Sequence, residues 1–264
     1  VRMHRVEMYN EENYVIDTGQ GQQAFPWDKV ENLVFVCEHV KERFVQTCDA
    51  RGVPLPRNMP VIEHVGVDLD LFKFVERDWS KPPFVMVIAG NLIPKKRQYT
   101  LIEMFADAEA RWPGIFGLKL IGSSNIGGYG NAEYYQNCSD AILRLNLAER
   151  VATAPWIDHK AMPQQYAESA FVVSASNEEG CATTVAEGMA TGCLPLVANW
   201  RGANKLYPED WCWDTPAAFM RLLEQFVNSS PEEAAAASAL SREWVTSRFE
   251  MKSADSAPQP PSSA

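Results

Sequence analysis

Five features are missing or scarce in this 264-residue sequence, and each absence removes a class of function. No run approaches eighteen apolar residues, so no spanning helix is expected. The N-terminus shows no charged stretch leading into an apolar h-region, so no signal peptide is expected either. Positive charge is scarce: 24 Lys and Arg face 34 Asp and Glu, a formal net charge of −10. That balance argues against a general nucleic-acid surface, although a local cluster such as Lys95-Lys96-Arg97 can hold a small anion. CxxC spacing is absent. The six cysteines (Cys37, Cys48, Cys138, Cys181, Cys193, Cys212) are scattered, several within apolar runs, as expected of reduced thiols without a zinc site. The GxGxxG fingerprint is missing too, so NAD is not indicated. The expected setting is cytoplasmic. What is present, 46% hydrophobic and 22% charged residues with 15 Gly and 17 Pro, is a globular composition that excludes collagen, coiled coil and wholesale disorder.

Along the chain, residues 1–78 read as a small, partial α/β unit. VRMH is strand-like, Glu31–Val36 is a short apolar run, His39–Cys48 has helical spacing, and Met59–Asp68 is a second apolar run. The polar, proline-rich DWSKPP (Asp78–Pro83) marks the expected boundary to a second unit, residues 79–250. There, strands at Phe84–Gly90, Leu118–Gly122, Arg150–Trp156, Phe171–Ser176 and Cys193–Asn199 alternate with helical patterns. This alternation predicts the α/β class: a Rossmann-like parallel sheet with helices on both faces. Residues 216–249 read as helical, and 251–264 as a disordered tail.

In an open parallel sheet ligands bind beyond the carboxyl ends of the strands, which selects four loops. Gly90-Asn91 leads to Lys95-Lys96-Arg97 just before a helix, the layout of a diphosphate clamp or of a solvated basic loop. Gly122-Ser123 opens a small-residue loop that also fits a plain connector. Trp156 follows a strand end, where it could line a base pocket or simply pack, and His159 nearby reads as exposed. In the fourth loop, Glu179-Gly180-Cys181-Ala182-Thr183 leads into a helix bearing Glu187, so two carboxylates bracket a helix N-terminus whose amides can meet phosphate oxygens. Thr184 and Glu187 equally fit a T-x-x-E capping box, which would account for Glu187 without any ligand.

The order of these motifs resembles the retaining glycosyltransferases of family 4, which have the two-domain GT-B fold. Val65-Gly66-Val67-Asp68 with Phe72 resembles the family's N-G-V-D…F, Gly90 to Lys96 its G-R-L-x-P-x-K, and Leu101 to Phe105 its L-I-E-A-F. Ser176 to Gly192 resembles S-x-x-E-G-F-G-x-x-x-x-E-A-M-A-x-G, with Glu179 and Glu187 as the E-x7-E pair. The match covers residues 61–210 and, more loosely, the chain from residue 1. Asn91 stands where the family has arginine, Cys181 and Ala182 where it has phenylalanine and glycine, and Val65 where it has asparagine.

The resemblance implies roles. Lys96 would neutralise the donor diphosphate with help from Arg97, Glu187 would bind the ribose hydroxyls, and Glu179 with backbone groups of Gly180 to Thr183 would hold the donor sugar. His4 falls near a histidine that the family's first domain brings to the cleft. Lys96, Glu179 and His4 would thus be catalytic. The remaining donor contacts would be Gly90, Asn91, Arg97, Gly122, Ser123, Trp156, Gly180, Cys181, Ala182, Thr183 and Glu187. The implied reaction moves a sugar from a UDP or GDP sugar to a hydroxyl with retained configuration, without an essential metal or further cofactor. The acceptor would be a saccharide, a lipid-linked molecule or a protein, in polysaccharide or glycolipid synthesis. Since about 78 residues precede the second unit, the chain reads as the donor-binding half with a truncated or naturally short first half. Peripheral membrane contact is expected through the region that would lie upstream. The alternative from a different class is a non-catalytic module that binds a nucleotide sugar or a partner protein.

Overall fold

The computed structural model describes residues 2–3, 29–50, 52–61, 66–122 and 131–249. His4, Val65, Ser123 and the expected tail at 251–264 lie outside the described residues. Six parallel strands form the main sheet: β3 (Phe84–Ala89), β4 (Phe116–Ile121), β5 (Val151–Ala154), β6 (Phe171–Ser174), β7 (Leu194–Ala198) and β8 (Cys212–Trp213), in the order β5-β4-β3-β6-β7-β8. The pattern of near-continuous apolar runs is realised in the centre, where every residue of β6 is buried, while the edge strand β5 exposes Ala152 and Thr153. Five of the six strands correspond to the expected runs. The sixth, β8, has only two residues and no apolar run to announce it.

Helices cover both faces: α2 (Gln98–Arg111), α3 (Ala132–Arg144), α4 (Met162–Ala167), α5 (Thr183–Ala190), α6 (Ala203–Leu206), α7 (Pro216–Val227) and α8 (Pro231–Phe249). The helical stretch expected over 216–249 is two helices. Thr215 caps α7 and Pro216 starts it; Ser230 and Glu233 exchange hydrogen bonds at 3.2 and 2.8 Å in a capping box that starts α8 at Pro231. The intervening Asn228-Ser229 therefore turns the chain instead of continuing the helix.

The first unit is small. β1 (Arg2–Met3) pairs in parallel with β2 (Val34–Phe35), which leads into α1 (Glu38–Ala50). The second apolar run contributes isolated parallel bridges, Asn32 with Asn58 and Phe35 with Val61, in place of a full strand. Residues 66–83 are stitched to the larger unit through arginines. The Arg77 guanidinium donates to the carbonyls of Ser169, Thr191, Tyr166 and Val75 at 2.7–2.9 Å, and Arg242 to those of Phe72 and Ala190 at 2.6 Å. The buried side chains of both units belong to one continuous apolar cluster.

Candidate functional site

The strand order reverses between β3 and β6, so the loops that leave their carboxyl ends diverge and open a crevice. Two hollows occupy it and meet at Asn91. The larger, about 280 Å³, is lined by Gly90, Asn91, Gly122, Trp156, Ile157, His159, Tyr166, Thr183, Thr184 and Glu187. The smaller, about 90 Å³, is lined by Asn91, Ile93, Lys95, Lys96, Glu178, Glu179 and Gly180. The two carboxylates thus stand over adjoining parts of one crevice.

The backbone of the crevice is specified by close approach. Gly90 takes φ +149°, and a Cβ on Gly122 would run into the Gly90 carbonyl, so neither strand end admits a side chain there. Gln98, in the first turn of α2 and buried, donates to the Asn91 carbonyl at 2.9 Å and so holds the chain leaving β3. The Asn177 amide donates to the Lys95 carbonyl at 2.9 Å, which ties the loop after β6 to the turn Pro94–Lys96.

Around Glu179 the contacts are dense. Its carboxylate accepts from the Ser176 hydroxyl at 2.6 Å and pairs with the Lys96 ammonium. Lys96 is therefore no lone cation: its charge is already met. The carbonyls of Glu179 and Gly180 face the first unit, with His39 Nε2 at 2.8 Å from the former and Cys37 Sγ donating to the latter at 2.8 Å. Burial lowers the His39 pKa and pushes the Cys37 thiol up to about 12, so the imidazole is neutral and the sulfur a thiol at neutral pH. Neither residue was marked by the sequence, because the contacts span 140 and 143 positions.

Glu187 lies one turn into α5 and is nearly enclosed, its side chain 13% exposed. Its carboxylate accepts from the Tyr166 hydroxyl at 3.2 Å and lies 3.0 Å from His159 Nε2. Burial raises its pKa, and the bonds to His159 and Tyr166 act against that rise. The capping-box alternative is not realised. The residue before α5 is Ala182, at φ +46°, and no side chain caps the helix. That open N-terminus, with Thr183 and Thr184 on the wall of the larger hollow, keeps its dipole turned to the crevice.

Not every expected contact comes together. Gly90, Asn91, Gly122, Trp156, Thr183 and Glu187 line the larger hollow, and Asn91, Lys96, Glu179 and Gly180 the smaller. Trp156 is 57% exposed at the mouth, a wall residue and not a core one. Cys181 and Ala182 are buried beneath the loop, where their carbonyls accept from the Tyr207 hydroxyl at 3.4 Å, and they line neither hollow. Arg97 is a correction: its guanidinium lies 5.9 Å from the Trp213 ring centroid, and the residue lines a separate groove with Tyr99, Tyr134 and Arg144. As the residue preceding α2 at φ +53°, it is turned away from Lys96's hollow. His159, read as merely exposed, is also a partner of Glu187.

Among the described residues no group of three or more His, Cys, Asp or Glu is placed to hold a metal ion, and no helix is long and apolar enough to cross a membrane. A family model described as glycosyl transferases group 1 matches residues 72–236. Comparison with curated protein sequences gives no match. Solved structures share the fold. Anabaena Alr3699/HepE, solved in complex with UDP-glucose, is 18% identical with a TM-score of 0.74, over 94% of this chain and 67% of that one. Sucrose-phosphate synthase from Thermosynechococcus elongatus is 20% identical with a TM-score of 0.66, over 85% of this chain and 55% of that one. The C-terminal domain of LpcC, a glycosyl transferase group 1 family protein from Francisella tularensis, is 16% identical with a TM-score of 0.61, over 71% of this chain and all of that one. The chain thus spans little more than half the length of the synthase.

Proposed function

The chain belongs to the glycosyl transferases of group 1, and from that premise we propose that its crevice binds a nucleoside diphosphate sugar whose sugar is passed to a hydroxyl acceptor with retained configuration. The observation that carries this reading is the crevice between β3 and β6, where an uncapped helix N-terminus, an ammonium and two carboxylates meet within adjoining hollows. The nucleoside lies in the larger hollow, with its base at Trp156 and its ribose hydroxyls donating to Glu187. The diphosphate then crosses Asn91 toward the N-terminus of α5, and the sugar reaches Glu179. HepE was solved with UDP-glucose, and UDP is accordingly the first nucleotide to test.

Catalysis in this site is electrostatic and positional. As the bond from the anomeric carbon to the diphosphate oxygen breaks, its electron pair leaves with the diphosphate, and the acceptor oxygen bonds to the same face of that carbon. The acceptor's proton passes to the departing phosphate oxygen. The Lys96 ammonium turns from Glu179 to the growing phosphate charge, freeing the Glu179 carboxylate to accept from sugar hydroxyls. No step calls on a metal ion, and the acceptor is a saccharide, lipid-linked or protein hydroxyl.

Titration of the chain with UDP, GDP, UDP-glucose and GDP-mannose, followed by thermal shift and calorimetry, tests the reading. Saturable binding that Lys96→Ala weakens about tenfold or more is expected from the loss of a charged hydrogen bond. No shift with any of the four at millimolar concentration would overturn it. Binding without donor hydrolysis or transfer would leave a nucleotide-sugar-binding module.

A further inference from the structure

We infer that His39, with Cys37 beside it, is a positioning residue for the donor loop: the first unit pins the consecutive carbonyls of Glu179 and Gly180 and thereby fixes where the Glu179 carboxylate stands. This deepens the donor-site reading and rests on it for its functional meaning.

The carbonyl of Glu179 can only accept, so the His39 nitrogen 2.8 Å away must carry the proton, which sets the Nε2–H tautomer. Lowered basicity from burial keeps the ring in that neutral form near pH 7. The ring has no room to turn away. It lies 5.5 Å from the Trp200 ring, and a Cβ on Gly202 would collide with its Nδ1 side. Gly202 sits at φ +96°, so the residue that clears space for the imidazole is itself held by the turn before α6. Cys37 donates to the next carbonyl from the residue just before α1.

The rest of the loop is held elsewhere. Asn177 is tied to Lys95 at one end, and Tyr207 reaches the carbonyls of Cys181 and Ala182 at the other. Between those ties the backbone of 179–180 is held by His39 of α1 and by Cys37 before it, while the carboxylate of Glu179 is held by Ser176 and Lys96. When the diphosphate draws Lys96 away, the carboxylate loses one of its two side-chain partners. The pinned carbonyls then keep it aimed at the sugar.

The test uses the whole chain with His39→Phe, which keeps a ring but removes the donor, and His39→Gln, whose amide N–H reaches about as far as Nε2. Hydrogen exchange is measured on peptides covering 176–183 and on peptides of β3 and β4, and affinities for UDP and UDP-glucose are compared. Expected is faster exchange over 176–183 in His39→Phe with β3 and β4 unchanged, together with restoration in His39→Gln. Expected too is a loss of about fivefold in affinity for UDP-glucose relative to UDP, the size of one hydrogen bond. Unchanged exchange at 176–183, faster exchange spread through the sheet, or equal losses for both ligands would overturn the inference. Should the unaltered chain bind neither ligand, the donor reading fails by itself, and the exchange pattern still decides whether His39 positions the loop.

Discussion

A carboxylate as enclosed as that of Glu187 is costly to keep ionised, and the hydrogen bonds it accepts from Tyr166 and His159 only partly offset the lost hydration. Because its folded-state pKa is raised above the ordinary 4.5, the folded protein takes up that proton more readily than the unfolded chain. The ionised group therefore opposes folding at neutral pH, and this opposition fades as pH falls through the raised value. Glu187→Gln should accordingly leave the melting temperature at pH 7 equal to or above that of the parent, with the advantage shrinking in acid. The same change should weaken UDP binding by roughly 1.5–3 kcal/mol, about tenfold to a hundredfold. Paired melting curves and calorimetric titrations check both halves. A lower melting temperature with unchanged affinity would return Glu187 to a structural role. At this scale the spacing of Glu179 and Glu187 was legible because a motif is local. Tyr166 and His39 were not, because each reaches its partner through the fold.

Elements pack here with little tolerance where α5 crosses β6. Gly188 lies on the buried side of α5, and a Cβ there would come within 2.6–2.9 Å of the Val172 side chain on β6. A contact of that kind forces the helix outward, and α5 carries Thr183, Thr184 and Glu187 at the crevice. Gly188→Ala should thus cost about 1–3 kcal/mol in urea unfolding, the range for overpacking, and lower donor affinity although residue 188 lines neither hollow. Intact affinity alongside the stability loss would mean that α5 adjusts without moving its N-terminus. The strands β3, β4, β5, β6 and β7 were legible as apolar runs, since buried parallel strands leave no polar face. β8 was hidden by its brevity, and the α7–α8 break by helix-favouring residues on both sides of Ser229-Ser230, alanine-rich in α8.

Across the whole molecule, arginine adds polar ties to an apolar cluster that runs from Leu33 to Phe249. Arg77 reaches four carbonyls from three separate segments, using the fork of its guanidinium. A lysine has one nitrogen on a flexible stem and cannot reproduce that geometry. Arg77→Lys should destabilise the chain by about 2–3 kcal/mol, comparable to losing one or two hydrogen bonds of a charged donor. Chemical denaturation measures it. A change below a few tenths of a kcal/mol would mean that residues 66–83 are held by their apolar contacts, their backbone bonds to Phe249 and Thr191, and Arg242. The first unit matters beyond packing, because α1 and the residues before it meet the loop that bears Glu179.

The sequence by itself determined the parallel α/β plan, the loops at the strand ends and the pair Glu179 and Glu187, because burial patterns and motif spacings are properties of neighbouring residues. Only the tertiary structure decided that Lys96 is met by Glu179, that Arg97 turns toward Trp213, that Glu187 is shared by Tyr166 and His159, and that His39 holds the loop. Those partners lie up to 140 positions apart, and nothing in a linear spacing specifies which side chains the crossing of strands will bring within hydrogen-bonding distance.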